Sequence, residues 1–314
     1  MRSPMMQILA LCLVCAVEGG FVTPPTARYR RRCAAPPAMQ ETGGLVGSLQ
    51  RVSEWRSKVV VVKYGGHAMT NDERAAEFAS DVALLQSLGV RPVVVHGGGP
   101  QINAMLERLE VESEFVNGLR KTTPAVMEVV EMVLCGSLNK KIASKINAAG
   151  GRAVGISGKD DSLVLAQQRD PALGLVGDPQ TVRVPLLTSL LDGGIVPVIA
   201  PVATDEAGSS YNVNADTMAG AIASALDAAS LLLLTDVAGV LDGDMKLLPQ
   251  LTAAAAKQLT EDGTASGGMI PKLGTAMDAV AGGVGEAVIM DGRVPHCAIE
   301  HLFGEGAVGT AVSA

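Results

Sequence analysis

Two lysines in this chain have neighbours suited to holding a phosphate. Lys63 ends a run of valines and is followed by Gly65-Gly66, and Lys272 comes shortly after Gly267-Gly268. Glycine has no Cβ, so its backbone amides can approach an anion closely, and an ammonium group beside them adds positive charge. Taken singly, a lysine at a strand end is more often a solvated surface charge, and a glycine pair is more often a turn. The repetition of the pattern favours an anion site.

Two polar segments could complete such a site. His96-Gly97-Gly98-Gly99 precedes Pro100, which suits the first turn of a helix, and the free amides of a helix N-terminus attract anions. Asn212-Val213-Asn214-Ala215-Asp216 precedes another predicted helix and holds more polar side chains than one cap requires. Lys272 lies near the start of its own predicted helix, where its charge opposes the helix dipole, so a compensating anion is expected beside it. These segments together predict a phosphate-binding site.

Other catalytic motifs are missing from the sequence. It contains no G-x-x-x-x-G-K-[ST] loop, no H-E-x-x-H zinc helix, no cluster of Cys and His, and no G-x-S-x-G elbow. One G-x-G-x-x-G match, Gly304-x-Gly306-x-x-Gly309, is followed by five residues only and cannot open the helix that a dinucleotide site needs. P-loop, metalloprotease, hydrolase and dinucleotide-binding functions are therefore disfavoured.

The elements that would position these residues alternate between strand and helix. Val59 to Val62 is a continuous β-branched run, typical of a strand buried on both faces. Asn71 is suited to be the N-cap of a helix, and Gly89 is suited to end that helix. Arg91–His96 is then predicted to be the next strand. The recurrence of this pattern predicts an α/β fold, with a mainly parallel central sheet sandwiched by helices and divided into two lobes. Ligands bind at the carboxyl ends of such strands, where the glycine segments lie.

Three polar, turn-rich segments are expected to interrupt the regular elements. They are Gln168–Gln180, Thr204–Tyr211 and Asp242–Asp244, and the second contains the turn residues of a hairpin at Asp205–Gly208. No internal repeat and no linker clearly divides the chain after its first forty residues. A single sheet running through both lobes is therefore expected.

Composition excludes several classes of function. The 314 residues include 25 Lys+Arg and 32 Asp+Glu, and five of the basic residues lie within residues 1–40, so the remainder is strongly acidic. Non-specific nucleic-acid binding requires a basic surface, so no nucleic-acid partner is expected. Only Cys135 and Cys297 lie beyond residue 40, too few for a disulfide framework.

Residues 1–40 have the composition of a targeting leader. Arg2 precedes the apolar run Ile8–Val17, which is too short to span a membrane and suits the core of a signal peptide. Phe21–Gln40 contains no acidic residue and includes the basic cluster Arg28–Arg32, as organelle transit peptides do. The two-part leader predicts a plastid location, with a mitochondrion or another organelle as the alternative. A secretory signal followed by a basic linker also fits, and no membrane association is expected of the mature chain.

Seven motifs, in order along the chain, resemble those of the amino acid kinase family. They are Lys63–Met69, His96–Pro100, Asn117–Arg120, Gly158–Asp160, Tyr211–Asp216, Leu234–Val240 and Gly267–Lys272. Asn117–Arg120 together with Asn212–Asp216 most resembles the motifs of members that phosphorylate the side-chain carboxylate of N-acetyl-L-glutamate, giving N-acetyl-L-glutamyl 5-phosphate in L-arginine biosynthesis. The resemblance implies ATP as the phosphate donor, Mg²⁺ bound to the nucleotide and no metal held by the protein itself. Another carboxylate kinase of the family and a catalytically silent amino-acid sensor remain as alternatives.

The resemblance also implies roles for individual residues. The catalytic residues would be Lys63 and Lys272, flanking the transferring phosphoryl group, and Asp216, which would position both lysines. N-acetylglutamate would be held by Gly98, Gly99, Arg120 and Asn212. The nucleotide would be bound by Gly65, Gly66, Asp236, Gly239, Leu241, Gly267 and Met269. A carboxylate nucleophile is already ionised at neutral pH, so this chemistry requires no general base.

The implied division of the chain follows the predicted elements. After the leader at 1–40 come an N-terminal helix at 41–57, an N-lobe at 58–194 and a C-lobe at 195–314. The N-lobe would bind acetylglutamate and dimerise, and the C-lobe would bind ATP.

Regulation is implied by the helix that precedes the first strand. Leu45, Leu49 and Val52 recur at helical spacing, which predicts an amphipathic helix at Gly44–Ser57 that packs on another part of the protein or on another subunit. In arginine-inhibited members of the family, such a helix interlaces dimers into a homo-hexamer, a trimer of dimers. The resemblance places an L-arginine site at Trp55, Glu300, Gly306 and Gly309, and a nitrogen-signalling regulator of the PII type would be a further partner.

Overall fold

The computed structural model describes residues 44–65, 69, 71–116, 118–304, 306 and 308–314. The predicted targeting leader lies outside the described residues. The described residues belong to one compact unit. Within them, no helix is long and apolar enough to cross a membrane.

The centre of the fold is a large sheet. The strands are β1 (Val59–Tyr64), β2 (Arg91–His96), β3 (Phe115–Val116), β4 (Leu119–Arg120), β5 (Ala153–Ser157), β6 (Val164–Gln168), β7 (Val176–Val182), β8 (Val196–Ala200), β9 (Val202–Thr204), β10 (Ser210–Val213), β11 (Ser230–Thr235), β12 (Gln250–Thr252), β13 (Ala287–Asp291) and β14 (Thr310–Ser313). Eight of them form one sheet in the order β12-β14-β13-β11-β1-β2-β8-β5. Neighbours in this sheet run parallel except β13 and β14, which confirms the predicted α/β fold with a mainly parallel sheet.

Helices cover both faces of the sheet. They are α1 (Leu45–Trp55), α2 (Asp72–Ser87), α3 (Gly99–Arg108), α4 (Pro124–Glu131), α5 (Asn139–Ala148), α6 (Pro185–Asp192), α7 (Ala215–Ala225), α8 (Ala253–Glu261), α9 (Met269–Ala281) and α10 (Cys297–Phe303). A π-helix, Met132–Leu138, joins α4 to α5. One hydrophobic core includes residues of α6, α7 and α9, a second includes residues of α2, α5 and α10, and a third includes residues of α3, α4 and the π-helix.

The packing of β1 explains why a strand forms at the valine run, as the sequence predicts. Val61 packs into the first of these cores, and Val60 and Val62 pack into the second. All three side chains are almost completely buried, because successive residues of a strand point to opposite faces. β1 pairs with both β11 and β2, so Lys63 lies at the centre of the sheet's carboxyl edge.

A smaller group of strands, β6, β7, β9 and β10, closes into a barrel. The hairpin predicted at Asp205–Gly208 joins β9 and β10, which pair antiparallel, and Gly208 adopts the positive φ of +87° that its turn requires. The interruption expected at Gln168–Gln180 is only partly correct, because β7 already begins at Val176. This strand pairs with both β6 and β10, and its pairing outweighs a polar sequence that contains proline.

The N-terminal helix lies against its own domain. α1 packs on α10, and Arg51 Nε donates a hydrogen bond of 2.8 Å to the carbonyl of Phe303. The helix contains no acidic residue in its first turn and no side-chain cap. Tertiary contacts therefore stabilise this helix more than its own sequence does.

The apolar side chains of α1 are divided between two environments. Val52 and Trp55 pack against the hydrophobic core below the helix. Val46 and Leu49 are 61% and 58% exposed. Of the predicted apolar stripe, Val52 therefore packs within its own chain, whereas Leu49 is exposed.

Candidate active site

Two glycine loops touch at the carboxyl edge of the central sheet. They follow β1 and β2, and a Cβ on Gly97 would lie only 3.6 Å from the Cα of Gly65. A Cβ on Gly65 would lie 2.8 Å from Lys63 Nζ, so the lysine folds back over the glycine backbone. Larger residues here would separate the loops or displace the ammonium group.

Asp216 links the two predicted catalytic lysines. Its Oδ1 lies 3.0 Å from Lys63 Nζ, and its Oδ2 accepts a hydrogen bond of 3.0 Å from Lys272 Nζ. All three side chains are largely buried. Because an ammonium group has three N–H donors, both lysines retain donors for a ligand. The structure thus brings together residues that are more than fifty positions apart in the sequence.

The charges around Asp216 keep it ionised. Burial is the largest influence on its pKa and acts to raise it, but Lys63 and Lys272 together outweigh burial, and the pKa of Asp216 falls below the ordinary aspartate value. Both carboxylate oxygens face ammonium groups, so Asp216 orients the lysines and is not a free proton acceptor. The cluster holds two positive charges and one negative charge, and the excess positive charge favours an anion.

Asp216 is positioned by the start of α7. Asn214 caps this helix, and its Oδ1 accepts hydrogen bonds from the backbone N–H groups of Asp216 at 2.8 Å and Thr217 at 3.2 Å. A carboxylate in the first turn also interacts favourably with the helix dipole. The polar residues of the motif Asn212–Asp216 therefore have different roles. Asn214 caps α7, Asp216 bridges the two lysines, and Asn212 lines an adjoining cavity.

This cavity, of about 350 Å³, opens beside the lysine cluster. Gly98, Gly99, Arg120 and Asn212, the four residues predicted to hold the substrate, all line it. Ala215, next to Asp216 in the chain, lines it too. The structure therefore brings the predicted substrate residues together at one cavity and places that cavity next to the predicted catalytic residues.

Arg120 is the charged group of the cavity. It is 7% exposed, and its guanidinium donates hydrogen bonds to Ser113 Oγ and Asn103 Oδ1 and stacks over the Phe115 ring at 4.6 Å. Burial lowers its pKa, which means that water no longer stabilises its charge fully. No carboxylate of the described residues forms an ion pair with Arg120. A buried cation without a counter-ion is costly, and an anionic ligand would supply the missing charge.

The walls of the cavity come from the elements around it. Asn212 Nδ2 donates to Thr122 Oγ1 at 3.2 Å, and that hydroxyl donates to the Arg120 carbonyl at 2.9 Å, so the two substrate residues share one hydrogen-bond chain. The cavity also has apolar walls, which include Ile102, Leu134 and Val176. It therefore offers one fixed positive charge, the amide side chains of Asn103, Asn212 and Asn214, and an apolar surface.

The predicted nucleotide residues after β11 have different surroundings. Asp236 is exposed and accepts a hydrogen bond of 3.2 Å from Thr235 Oγ1. A Cβ on Gly239 would lie 2.6 Å from Thr310 Oγ1, so close packing alone accounts for a glycine there. Leu241 pairs with Leu247 in a short bridge. The nucleotide-binding roles of these residues stay predictions.

The other nucleotide residues flank the lysines. Gly65 lies against Lys63, and Gly66 is outside the described residues. Gly267 has a φ of +56° and open space around it, and Met269 begins α9 and packs on the core beneath. Glycine at 267 is explained by this left-handed backbone, which other residues rarely adopt.

The residues predicted for arginine lie on α1 and around α10. Trp55 and Glu300 are on these two helices, which pack together. Gly306 has open space where a side chain would lie. Gly309 has a φ of +79°, and a Cβ there would lie 2.3 Å from the carbonyl oxygen of Ile289, so the backbone alone requires glycine. The arginine-binding roles stay predictions.

Sequence reasoning misses the residues that support the site. Asn103 and Ser113, which hold Arg120, lie in segments without any motif, so no signal in one sequence marks them. Within the motif Gly158–Asp160, Lys159 contacts Glu131 at the end of α4 and donates a hydrogen bond of 2.8 Å to Ser210 Oγ in β10. Lys159 therefore links the barrel to α4. In the part of the chain that the structure describes, no group of three or more His, Cys, Asp or Glu side chains could hold a metal ion.

Comparison with known proteins agrees with this geometry. The model of the amino acid kinase family matches residues 58–291. An acetylglutamate kinase of Rhodospirillum centenum is 51% identical over 296 residues, covering 89% of this chain and 97% of the relative. One from Acidiphilium cryptum is 52% identical over 280 residues, covering 85% of this chain and 94% of the relative.

A solved structure shares the fold at lower identity. The N-acetylglutamate synthase of Neisseria gonorrhoeae, complexed with coenzyme A and N-acetyl-glutamate, aligns with a TM-score of 0.77 at 21% identity. The alignment covers 86% of this chain and 62% of that protein. The chain belongs to the amino acid kinase family and, within it, to the acetylglutamate kinases.

Proposed function

We propose that this protein transfers the γ-phosphoryl group of ATP to the side-chain carboxylate of N-acetyl-L-glutamate, giving N-acetyl-L-glutamyl 5-phosphate and ADP, a step of L-arginine biosynthesis. One observation carries the proposal: a buried Lys63–Asp216–Lys272 cluster with excess positive charge adjoins a cavity that contains a buried arginine, and no carboxylate among the described residues pairs with that arginine. The acetylglutamate kinases that match at about half identity support the same reaction.

The mechanism follows from the charges. The attacking carboxylate has an ordinary pKa of about 4.3 and is ionised at neutral pH, so no residue must remove a proton. The reaction then needs alignment of two anions and stabilisation of the charge on the transferring phosphoryl group. Lys63 and Lys272, held in place by Asp216, are positioned to supply that charge from two directions.

The cavity is suited to an acetylated amino acid. Arg120 retains donors beyond those used for Ser113 and Asn103 and can grip the α-carboxylate. Acetylation removes the positive charge of the amino group, and the apolar wall at Leu134 and Val176 suits a methyl group better than a desolvated ammonium. Free glutamate is expected to be a much poorer substrate.

ATP would enter as a complex with Mg²⁺. The lysines, the amides of Gly65 and the open turn at Gly267 would face its phosphates. Mg²⁺ keeps most of its ligands as water and phosphate oxygens, so it needs no dedicated protein cage.

The proposal is tested by measuring turnover in the presence of hydroxylamine, which converts the acyl phosphate product into a hydroxamate. The full chain is incubated with ATP, Mg²⁺, hydroxylamine and either N-acetylglutamate, glutamate or aspartate, and hydroxamate and ADP are both measured. We expect equal amounts of hydroxamate and ADP with N-acetylglutamate and little of either with the other two. Preference for aspartate or glutamate would assign a different carboxylate kinase, and binding of N-acetylglutamate without any ADP would indicate a sensor.

Feedback inhibition by L-arginine in a homo-hexamer is the second part of the proposal. What supports it is α1, whose Val46 and Leu49 are exposed beside the segment that carries the predicted arginine residues. Apolar residues on a free helix face suit contact with a second copy. The direct test is the oligomeric state and the rate measured with and without arginine.

Two further parts of the proposal lie beyond the described residues or the chain itself. A plastid location is inferred from the leader at 1–40, and a PII-type regulator would bind the hexamer. Fluorescent fusion of residues 1–40 to a reporter tests the first, and co-purification with a plastid PII protein tests the second.

A further inference from the structure

His96, the last residue of β2, is completely buried below the glycine loop. Its Nδ1 lies 2.8 Å from the carbonyl oxygen of Gly97, and because a carbonyl only accepts, Nδ1 carries the proton. Its Nε2 lies 3.2 Å from Asn139 Nδ2, an amide nitrogen that only donates, so Nε2 carries none. These two partners select one neutral tautomer of the ring.

The ring stays neutral under ordinary conditions. Burial lowers the pKa of His96 to about 4, and the nearby Lys140 lowers it further, while the bond to Gly97 acts in the opposite direction. A neutral ring without a contact to solvent is poorly placed to exchange protons with a substrate. The carboxylate chemistry also leaves no proton for it to move.

The consequence for the loop comes from the geometry of the peptide bond. The Gly97 carbonyl and the Gly98 N–H belong to one trans peptide unit, in which they point in opposite directions. With the carbonyl held on His96, the N–H of Gly98 points away from His96. Gly98 lines the substrate cavity, and no acceptor for its N–H is found among the described residues.

Asn139 is itself firmly anchored. Its Nδ2 has two hydrogens and three neighbouring acceptors, the carbonyl oxygens of Val198 at 2.8 Å and Ile156 at 3.1 Å and the more distant His96 Nε2 at 3.2 Å, so one hydrogen is shared between two acceptors. The two carbonyls tie Asn139 to β8 and β5. It follows the π-helix Met132–Leu138 directly, and π-helical turns often occur at functional sites. Two leucines of this π-helix pack where a Cβ on Gly98 would lie, 2.5 Å away.

We propose that His96 is a positioning residue, which holds the Gly97 carbonyl so that the Gly98 N–H donates to the acceptor carboxylate of the substrate, while Asn139 maintains the required tautomer. The inference rests on the proposed function, since it assumes an anionic substrate in this cavity. Its role differs from that of the lysines, because it acts through the backbone and makes no contact with the substrate.

Two substitutions separate this role from simple packing. In His96→Asn, the amide nitrogen can occupy the position of Nδ1 and still donate to the Gly97 carbonyl. In His96→Gln, the amide reaches the position of Nε2 and leaves that carbonyl without its donor. We expect His96→Gln to raise the KM for N-acetylglutamate at least tenfold, with the KM for ATP within twofold, because one hydrogen bond to a charged group is lost. His96→Asn should restore most of this loss.

Two more measurements complete the test. Thermal unfolding of both variants shows whether either fails to fold. The proposal is overturned if the KM of the two variants changes in proportion to their loss of melting temperature and does not depend on whether a donor faces the Gly97 carbonyl. Nitrogen NMR of the unliganded full chain is expected to show His96 with Nδ1 protonated from pH 6 to 8, and an Nε2-protonated ring overturns the proposal even if no turnover is found. Failure of wild-type turnover with a correct tautomer would instead count against the proposed function and against an anionic substrate here.

Discussion

Replacing Lys272 by alanine removes one of the two ammonium groups that Asp216 holds in the cluster. The ammonium group lies 3.0 Å from Asp216 Oδ2 on a side chain that is 18% exposed. Removing one preorganised donor from a developing negative charge typically costs about 3 to 4 kcal/mol of transition-state stabilisation. At 1.36 kcal/mol per factor of ten, kcat should fall by roughly 150-fold to 1,000-fold. The KM values should change far less, because the charge is needed most in the transition state.

The same change has a second effect, on Asp216. The wild-type carboxyl has a lowered pKa, so its ionised form contributes stability that is present above the unfolded value of about 3.9 and is lost as the pH falls through the lower folded value. Without Lys272, burial is opposed by Lys63 alone, and the folded pKa of Asp216 rises. The variant should therefore begin to lose stability at a higher pH than the wild type during acid titration.

The assays are hydroxamate formation at saturating substrates and thermal unfolding between pH 3 and 8. Lys272→Met keeps the length of the side chain without its charge and should match Lys272→Ala in kcat. Lys257→Ala is a matched control, because Lys257 lies on the neighbouring α8 with a side chain that is 70% exposed. A kcat of Lys272→Ala within threefold of wild type, or an equal loss in the Lys257 control, would refute the assignment.

Three other substitutions test separate parts of the site. Arg120→Lys keeps the charge but loses the planar fork of the guanidinium, so the KM for N-acetylglutamate should rise roughly tenfold while the KM for ATP stays constant. A rise in the KM for ATP instead would place Arg120 at the nucleotide site. Gly98→Ala would put a Cβ 2.5 Å from two leucine side chains and should lower the free energy of unfolding by about 1 to 3 kcal/mol, whereas Gly99→Ala, which has open space around it, should lower it little. Equal losses in the two variants would contradict the close packing described at Gly98. Val46→Asp with Leu49→Asp should give an active protein of smaller size that no longer responds to arginine, and a hexamer with normal inhibition would remove α1 from that role.

Residues that carry both structure and chemistry within one short segment could be predicted from the sequence. Lys63 follows its own strand and precedes its own glycines, so the local pattern already identifies it. Its neighbour Asp216 was predicted to position both lysines, and the structure places it between them. That prediction came from family resemblance, because no local rule connects residues that meet only when two distant strand ends come together.

Features that depend on tertiary packing could not be predicted. Val52 and Trp55 of α1 pack on the core while Val46 and Leu49 are exposed, and the helix packs on α10, which lies at the other end of the chain. β7 forms in a polar segment because two partner strands supply its hydrogen bonds. Asn139 carries no mark in the sequence, and its importance becomes visible only when the carbonyls of two strands and the ring of His96 surround it.

The position of β14 in the sheet determines the order in which strands can pair while the chain is being synthesised. β12 pairs with β14 alone, and β14 then pairs with β13, so Gln250–Thr252 gains its place only after Thr310–Ser313 has left the ribosome. Thr310 Oγ1 also accepts a hydrogen bond of 2.8 Å from Val240 N, next to the predicted nucleotide loop. A nascent chain that has already made both lysines therefore still lacks the strand that secures this loop.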